Sequence, residues 1–415
     1  MVLSKIAAAS LSAVVALATS SVSHAAPLTY AAALAAAETS SPDLQARSLQ
    51  MDSARAAARA AGALPDPKLA LGLDNFPISG PPAGRFNGDS MTMARFGFVQ
   101  DVPNGAKRSA ERAKAGTSIA AAGAAKRLSL REVHVGAAVA WIELNYAKAR
   151  LQALDDLLAG LAPFWRATPS VVASGNARPA QSLEAQQMRA DLEDRRSELV
   201  AIVGRSRAEL IRWTGDPDAD VAGPAPSFEV DPGPLRAAIE RNPRLGAQDA
   251  ITRQAETDVT LAQADKRPDW SWEIAYQRRD PMFGDMVSAG VTISLPIFAS
   301  GRQDPIIASK VAAAGQAHAE REASRREIVA QLETGLADHL MHYDQWRRSV
   351  DVLVPLAKQR ADLETASYGA GRAGLTDVVQ AFTQLANAQL TLLDREAAVA
   401  TDAARLSLLY GSDDQ

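Results

Sequence analysis

The sequence predicts an α+β membrane protein with an internal two-fold repeat, in which four strands form part of a membrane β-barrel and long α-helices continue from it. Three observations point there. Matching segments recur at a spacing of ~200 residues. Four runs alternate apolar and polar side chains with a period of two. Two helical stretches are far longer than a globular core can hold.

The 415 residues are 47% hydrophobic and 22% charged, enough for one large domain or two ordinary ones. The net charge of −4, with both signs spread along the chain, offers no basic face for nucleic acid. Cysteine is absent, which excludes disulfides, thiolate metal sites, a thiol nucleophile and a lipid anchor on an N-terminal cysteine. Residues 1–25 read as a secretory signal peptide. Lys5 precedes the apolar run 6–18, and Ser23-His24-Ala25 supplies the small residues that favour cleavage before Ala26. That run is shorter than the ~20 apolar residues of a membrane helix. No later run is long enough to span as a helix, so such a chain enters a membrane only as strands.

The repeat sets the domain plan. Ser41-Pro42-Asp43-Leu44 opens one helical stretch and Asn242-Pro243-Arg244-Leu245 opens its counterpart. Pro67 and Pro268 each precede a strand-like run, and Val102-Pro103 matches Leu295-Pro296. Lys107-Arg108 falls near Gly301-Arg302. Gly175, Leu183 and Ala185 match Gly371, Val379 and Ala381, while Leu210 and Gly215 match Leu406 and Gly411. The chain divides into the signal peptide, a first repeat (26–213), a linker rich in Pro, Gly and Asp (214–234) and a second repeat (235–415). Each repeat reads helix, strand, strand, long helix, helix.

The strands are expected near 67–77, 91–102, 269–277 and 287–296. Leu69, Leu71 and Leu73 alternate with Lys68, Ala70, Gly72 and Asp74; Phe96 and Phe98 alternate with Arg95, Gly97 and Val99. Trp270, Trp272, Ile274 and Tyr276 alternate with Ser271, Glu273 and Ala275; Val287, Val291 and Ile293 alternate with Ser288, Gly290 and Thr292. This pattern fits a half-buried soluble sheet or a barrel with lipid outside and water inside. The run lengths match tilted membrane strands.

The long helices, near 105–163 and 302–368, would span ~90 and ~100 Å, with Pro163 and Pro355 expected to interrupt or kink them. The shorter stretches, 42–64 with 178–213 and 243–264 with 375–410, stack end to end into rods of similar length. Four strands cannot close a barrel, which starts at about eight. Other copies of the chain must complete the edges, a dimer giving eight strands and a trimer twelve. A wide water-filled conduit favours the trimer, because bore grows with strand number.

The doubled plan, the linker and Leu295-Pro296-Ile297-Phe298-Ala299-Ser300-Gly301-Arg302 resemble the TolC family of outer-membrane efflux proteins over essentially the whole mature chain. The segments Ala63-Leu64-Pro65-Asp66-Pro67-Lys68-Leu69-Ala70-Leu71-Gly72-Leu73-Asp74-Asn75-Phe76-Pro77 and Gln100-Asp101-Val102-Pro103-Asn104-Gly105-Ala106-Lys107-Arg108 are similar to its heavy-metal, CzcC/CusC-like branch. The resemblance implies a homotrimer: a twelve-stranded barrel in outer-membrane lipid, continued by a periplasmic α-helical barrel. It implies two partners, a periplasmic adaptor (membrane fusion protein) and an inner-membrane pump of the resistance-nodulation-division (RND) type. It places adaptor contacts at the hairpin tips: Gly175, Asn176, Ala177 and Arg178 on the first, Gly371, Arg372, Ala373, Gly374 and Leu375 on the second. It places a periplasmic gate at Tyr368, Arg372, Asp377 and Gln380, with Gln380 standing where the family has a second aspartate. The first tip departs from the family pattern, Gln181 replacing an Asp. The expected role is a passive exit duct for heavy-metal cations. The alternatives are a duct of the same fold for organic solutes or secreted protein, and a periplasmic coiled-coil scaffold that never enters a membrane.

Other motifs have plainer readings. Gly369-Ala370-Gly371-Arg372-Ala373-Gly374 matches a dinucleotide fingerprint but lacks the preceding strand, and a helix-hairpin turn explains it better. His339 and His342 lie three apart on a helix without an evident third metal ligand, which suits a solvated face; His134 reads as structural. Met91, Met93, Met282 and Met286 could serve Cu(I) or be ordinary apolar filler. Trp270, Trp272 and Tyr276 fit an interfacial aromatic girdle better than a substrate platform. No cofactor, metal site or catalytic constellation is expected, and the chain does not read as an enzyme.

Overall fold

The computed structural model describes residues 27–173 and 179–411; the signal segment 1–25 lies outside the described residues. The first repeat comprises α1 (Tyr30–Ser40), α2 (Pro42–Ala60), β1 (Lys68–Asp74), β2 (Met93–Val102), α3 (Gly105–Ala173) and α4 (Pro179–Thr214). A short α5 (Pro232–Ala237) closes the linker. The second repeat comprises α6 (Pro243–Ala264), β3 (Trp270–Arg278), β4 (Met286–Ile293), α7 (Gln303–Arg348), α8 (Val354–Gly369) and α9 (Leu375–Tyr410). Neither α1 nor α5 was legible as a separate helix in the sequence.

The repeats start alike. Ser41 Oγ accepts from Leu44 N at 3.3 Å and Asn242 Oδ1 accepts from Arg244 N at 2.9 Å, each just ahead of a proline in the first helical turn. Proline costs nothing there, because its missing N–H would have no helical partner.

The four strands form one antiparallel sheet in the order β1-β2-β3-β4, with β2 pairing β3 across the two repeats. Its strand runs are trimmed relative to expectation. β1 stops at Asp74 rather than near 77 because Asn75 turns to a φ of 54°. Thr92 Oγ1 then donates to Asn75 O at 3.1 Å, closing the loop's base.

Beneath the sheet the helices form two long rods and two stacked ones. α3 is 69 residues long, ~100 Å at 1.5 Å per residue. It runs uninterrupted through Pro163, contrary to the expected break. Fully buried Leu161 and the neighbouring Phe164, packed on Tyr368 and Phe382, hold both sides of the proline, and such packing outweighs one lost helical hydrogen bond. The other long rod does change at its proline. A π-helical turn at Ser349–Leu353 separates α7 from α8, and Pro355 sits in the first turn of α8. Arg395 on α9 donates to Gln345 O at 2.9 Å and to Ser349 Oγ at 2.6 Å, supplying partners where the regular ladder is disturbed. α3 packs against α2, α4, α6 and α9, while α7 packs on α6 and α9 and α8 on α9.

The core is distributed along the rods. A central cluster gathers Trp141, Ile142, Leu144 and Leu210 with Val221 of the linker. Trp141 Nε1 donates to Leu28 O at 2.8 Å, and Leu28 forms a parallel bridge with Val221, so the segment ahead of α1 and the linker are tied to mid-α3. A second cluster (Leu154, Leu157, Leu161, Leu192, Val379, Leu390) lies toward the hairpin tips. Alanines at 137, 138 and 140 are buried and let the helices approach closely.

A polar joint sets the sheet on the rods. Asn104, buried between β2 and α3, caps α3 by accepting from Lys107 N at 2.8 Å. Its amide donates to Ala264 O (3.1 Å), Arg267 O (3.2 Å) and Asp269 Oδ1 (2.9 Å) at the α6–β3 junction. Lys107 Nζ adds an ion pair to Asp265 at 2.9 Å. The Pro103-Asn104-Gly105-Ala106-Lys107 motif is thus a clamp between the repeats. Asn104→Ala removes a helix cap and orphans buried polar groups. It should cost ~1–3 kcal/mol, read as a lower denaturation midpoint of the helical signal, with an unchanged midpoint contradicting this role.

Candidate functional site

The second hairpin tip is built by backbone chemistry. α8 ends in a Schellman motif: Arg372 N donates to Ser367 O at 2.8 Å and Gly371 N to Tyr368 O at 2.9 Å, with Gly371 at φ 70°. The glycine-rich fingerprint is therefore a helix-hairpin turn. Gly374 precedes α9, and Asp377 Oδ2 accepts from Gly374 N at 2.8 Å, capping the returning helix. Leu375, Val378 and Val379 are buried beneath the turn.

The residues expected at a gate are divided by this geometry. Arg372, Asp377 and Gln380 are exposed. Asp377, Gln380, Gln384 and Asn387 form an exposed polar stripe along α9 at helical spacing. Tyr368 turns the other way. It is half-buried, its ring edge-on to Phe164 at 6.1 Å, so within one chain it belongs to the core of the tip. The first tip, Gly175, Asn176, Ala177 and Arg178, lies outside the described residues; Gln181 is in α4.

At the far end of the rods, the sheet register sorts every strand residue onto one of two faces. One face carries Leu69, Leu71, Leu73, Phe96, Phe98, Trp270, Trp272, Ile274, Tyr276, Val287, Val291 and Ile293. It is uncovered: Leu69 is 69% exposed and Val287 72%. The opposite face carries Lys68, Asp74, Arg95, Gly97, Asp101, Ser271, Glu273, Gln277, Ser288, Gly290 and Thr292. Among the described residues both sheet edges, β1 and β4, lack a partner strand, and every residue of β4 is exposed. The polar face also holds cross-strand ion pairs: Arg95 with Glu273, and Lys68 Nζ with Asp101 Oδ2 at 2.6 Å. Sequence reading missed these pairs. Alternation put the charges on one face, but only the strand register brings them together.

The remaining candidates are dispersed. Met93 and Met286 begin strands on the polar face, whereas Met91 and Met282 sit in the loops beyond. His342 Nδ1 pairs with Asp402 on α9 at 2.7 Å, and His339 is buried, its pKa lowered chiefly by burial. His134 Nε2 lies 3.2 Å from Glu38 on α1. Among the described residues no group of three or more His, Asp or Glu is placed to hold a metal, and no helix is long and apolar enough to cross a membrane.

Comparison with known proteins agrees with this architecture. Residues 235–412, the second repeat, match the family model described as outer membrane efflux protein, a family of efflux ducts rather than enzymes. Three solved structures share the fold. A membrane protein from Pseudomonas aeruginosa superposes with a TM-score of 0.80 at 16% identity, covering 92% of this chain and 90% of that one. CusC, described in terms of folding and transmembrane channel formation, gives 0.78 at 15%, covering 92% of each. The Campylobacter jejuni CmeC outer membrane channel gives 0.78 at 13%, covering 92% of this chain and 85% of that one. No curated protein matches the chain.

The tip geometry yields a direct test. No atom lies within 4 Å of a Cβ built on Gly371, so backbone conformation alone restricts this position. Gly371→Val should destabilise the turn by ~1–2 kcal/mol, and Gly371→Asn by less, since Asn tolerates positive φ. Amide exchange at residues 367–378 should accelerate in that order; equal exchange in both variants would contradict the assignment.

Proposed function

We propose that this chain is the outer-membrane channel subunit of an efflux system, acting as a passive exit duct. The observation that carries the proposal is the four-stranded sheet with one uncovered apolar face, one polar face and two open edges, mounted on rods ~100 Å long. In water such a sheet would expose a continuous apolar patch and two strands ready to aggregate. In a barrel closed by three copies, the apolar face meets lipid, the polar face lines a water-filled bore and every edge is paired. A periplasmic scaffold would leave that face uncovered. The match of the second repeat to the efflux family and the fold shared with outer-membrane channels support the same reading.

The helical rods then form the periplasmic part, their hairpin tips farthest from the membrane. The turn Gly371–Leu375, with Gly371 and Arg372 exposed and small residues that permit close approach, is the contact for a periplasmic adaptor coupled to an inner-membrane RND pump; Gly175–Arg178 is its counterpart. Three copies of Asp377 near the symmetry axis would form an acidic ring. Like charges repel by ~1 kcal/mol per pair at 4 Å in bulk water, and more where solvent is restricted, so the ring attracts cations and resists tight closure. The cap bond to Gly374 does not compete with this role, because one carboxylate oxygen remains for solvent or ions.

The cargo we infer is a heavy-metal cation. The support is the likeness of the segments 63–77 and 100–108 to the heavy-metal branch, and a duct selects weakly while the pump selects upstream. Deleting the gene should sensitise cells to copper, zinc or cobalt, and the protein should fractionate with the outer membrane. Unchanged metal tolerance with raised sensitivity to dyes or detergents would replace metal by organic solutes; a detergent-free soluble protein would overturn the duct. At the tip, Asp377→Ala should lower cation preference and relieve block by polyvalent cations in single-channel recordings. Unaltered selectivity with only a loss of stability would leave Asp377 as a helix cap.

A further inference from the structure

The ion pair between Arg95 and Glu273 is built into the wall of the sheet. The two residues are not opposite one another: Arg95 faces Gln277 and Glu273 faces Val99. The guanidinium reaches the carboxylate only by crossing the intervening position, where Gly97 faces Ala275 on one side and Ala70 on the other. A Cβ on Gly97 would stand 3.0 Å from Glu273 Oε1 and 3.4 Å from the Ala70 Cβ. The glycine and two alanines therefore make a shallow trough in mid-sheet, and the pair lies along the wall instead of standing off it.

The charge inventory of this face makes the pair significant. It carries Lys68, Asp74, Arg95, Asp101 and Glu273, and β4 adds none. Lys68 and Asp101 neutralise each other at the end nearest the helices, Arg95 and Glu273 do so at the centre, and Asp74 stands at the opposite end of β1. Rings of unpaired charge in a confined aqueous bore set ion selectivity, because low-dielectric walls focus their field.

The geometry points to the Arg95–Glu273 pair as the element that keeps the mid-height of the duct's membrane section open to solutes of either charge. It rests on the reading that the polar face lines a barrel. Each protomer's carboxylate and guanidinium cancel within the wall, so a closed barrel carries no charged ring at mid-height. The flat trough also leaves the bore unobstructed.

The test is reversal potential in planar bilayers under a KCl gradient. It is recorded in an Asp377→Ala background so that the tip does not dominate. Arg95→Gln should raise the cation-to-anion permeability ratio by about 3-fold or more, Glu273→Gln should lower it comparably, and the double variant should return to the parent value. Because the native chain has no cysteine, Arg95→Cys offers a check on a channel already folded. A cationic methanethiosulfonate should restore parental selectivity, and an anionic one should push it further toward cations. Conducting channels whose reversal potential ignores these changes would overturn the role of the pair while leaving the duct intact. A parent protein that inserts but never conducts would overturn the duct itself, and this inference with it.

Discussion

The proposed barrel turns on one constraint: a strand in hydrocarbon must have every backbone N–H and C=O paired, and the described residues of one chain supply four strands. The meander β1-β2-β3-β4 satisfies its inner ladders and leaves both outer ones open. The apolar face, from Leu69 to Ile293, is left uncovered by the described residues. A protomer alone is therefore incomplete in two respects, and closure by identical copies answers both. Because β2 pairs β3 across the repeat, the two halves meet in one continuous wall, and the Asn104 clamp fixes that wall to both sets of rods.

The repeats are equivalent in plan and unequal in mechanics. Their helices start with the same Ser/Asn-Pro cap, and both put a rod of ~100 Å beside a stacked pair. α3 nevertheless passes straight through Pro163, whereas the corresponding rod breaks register at Ser349–Leu353 and is held there by Arg395. The second repeat also carries the described tip, with its Schellman turn, its Asp377 cap and a polar stripe down α9. Local irregularity and candidate gating residues thus fall in the same half of the chain.

Much of this was legible in the sequence, for identifiable reasons. Period-two alternation survives in single residues, so the strands and their two faces could be read directly. The helix starts at Pro42 and Pro243 were legible from the matching segments that open the two repeats. What sequence reading missed depends on tertiary neighbours. Pro163 reads as a breaker until Leu161 and Phe164 are seen packed around it. The packing of the Tyr368 ring on Phe164 at the tip was not legible in the sequence. The Arg95–Glu273 pair requires a strand register that alternation alone leaves undetermined, and Asn104 shows its four hydrogen bonds only once the repeats are side by side.

Closure of the sheet by other copies is the central claim, and the cysteine-free chain allows it to be tested directly. Cysteine pairs would be placed with one member on β1, at Leu71 or Leu73, and the other on β4, at Ala289 or Val291, in otherwise native protein inserted in membranes. Oxidation should join β1 of one protomer to β4 of the next. Denaturing electrophoresis should then show a covalent ladder that ends at three chains, with register-matched pairs linking far better than mismatched ones. Chains that stay monomeric for every pair, while inserted and folded, would contradict the account.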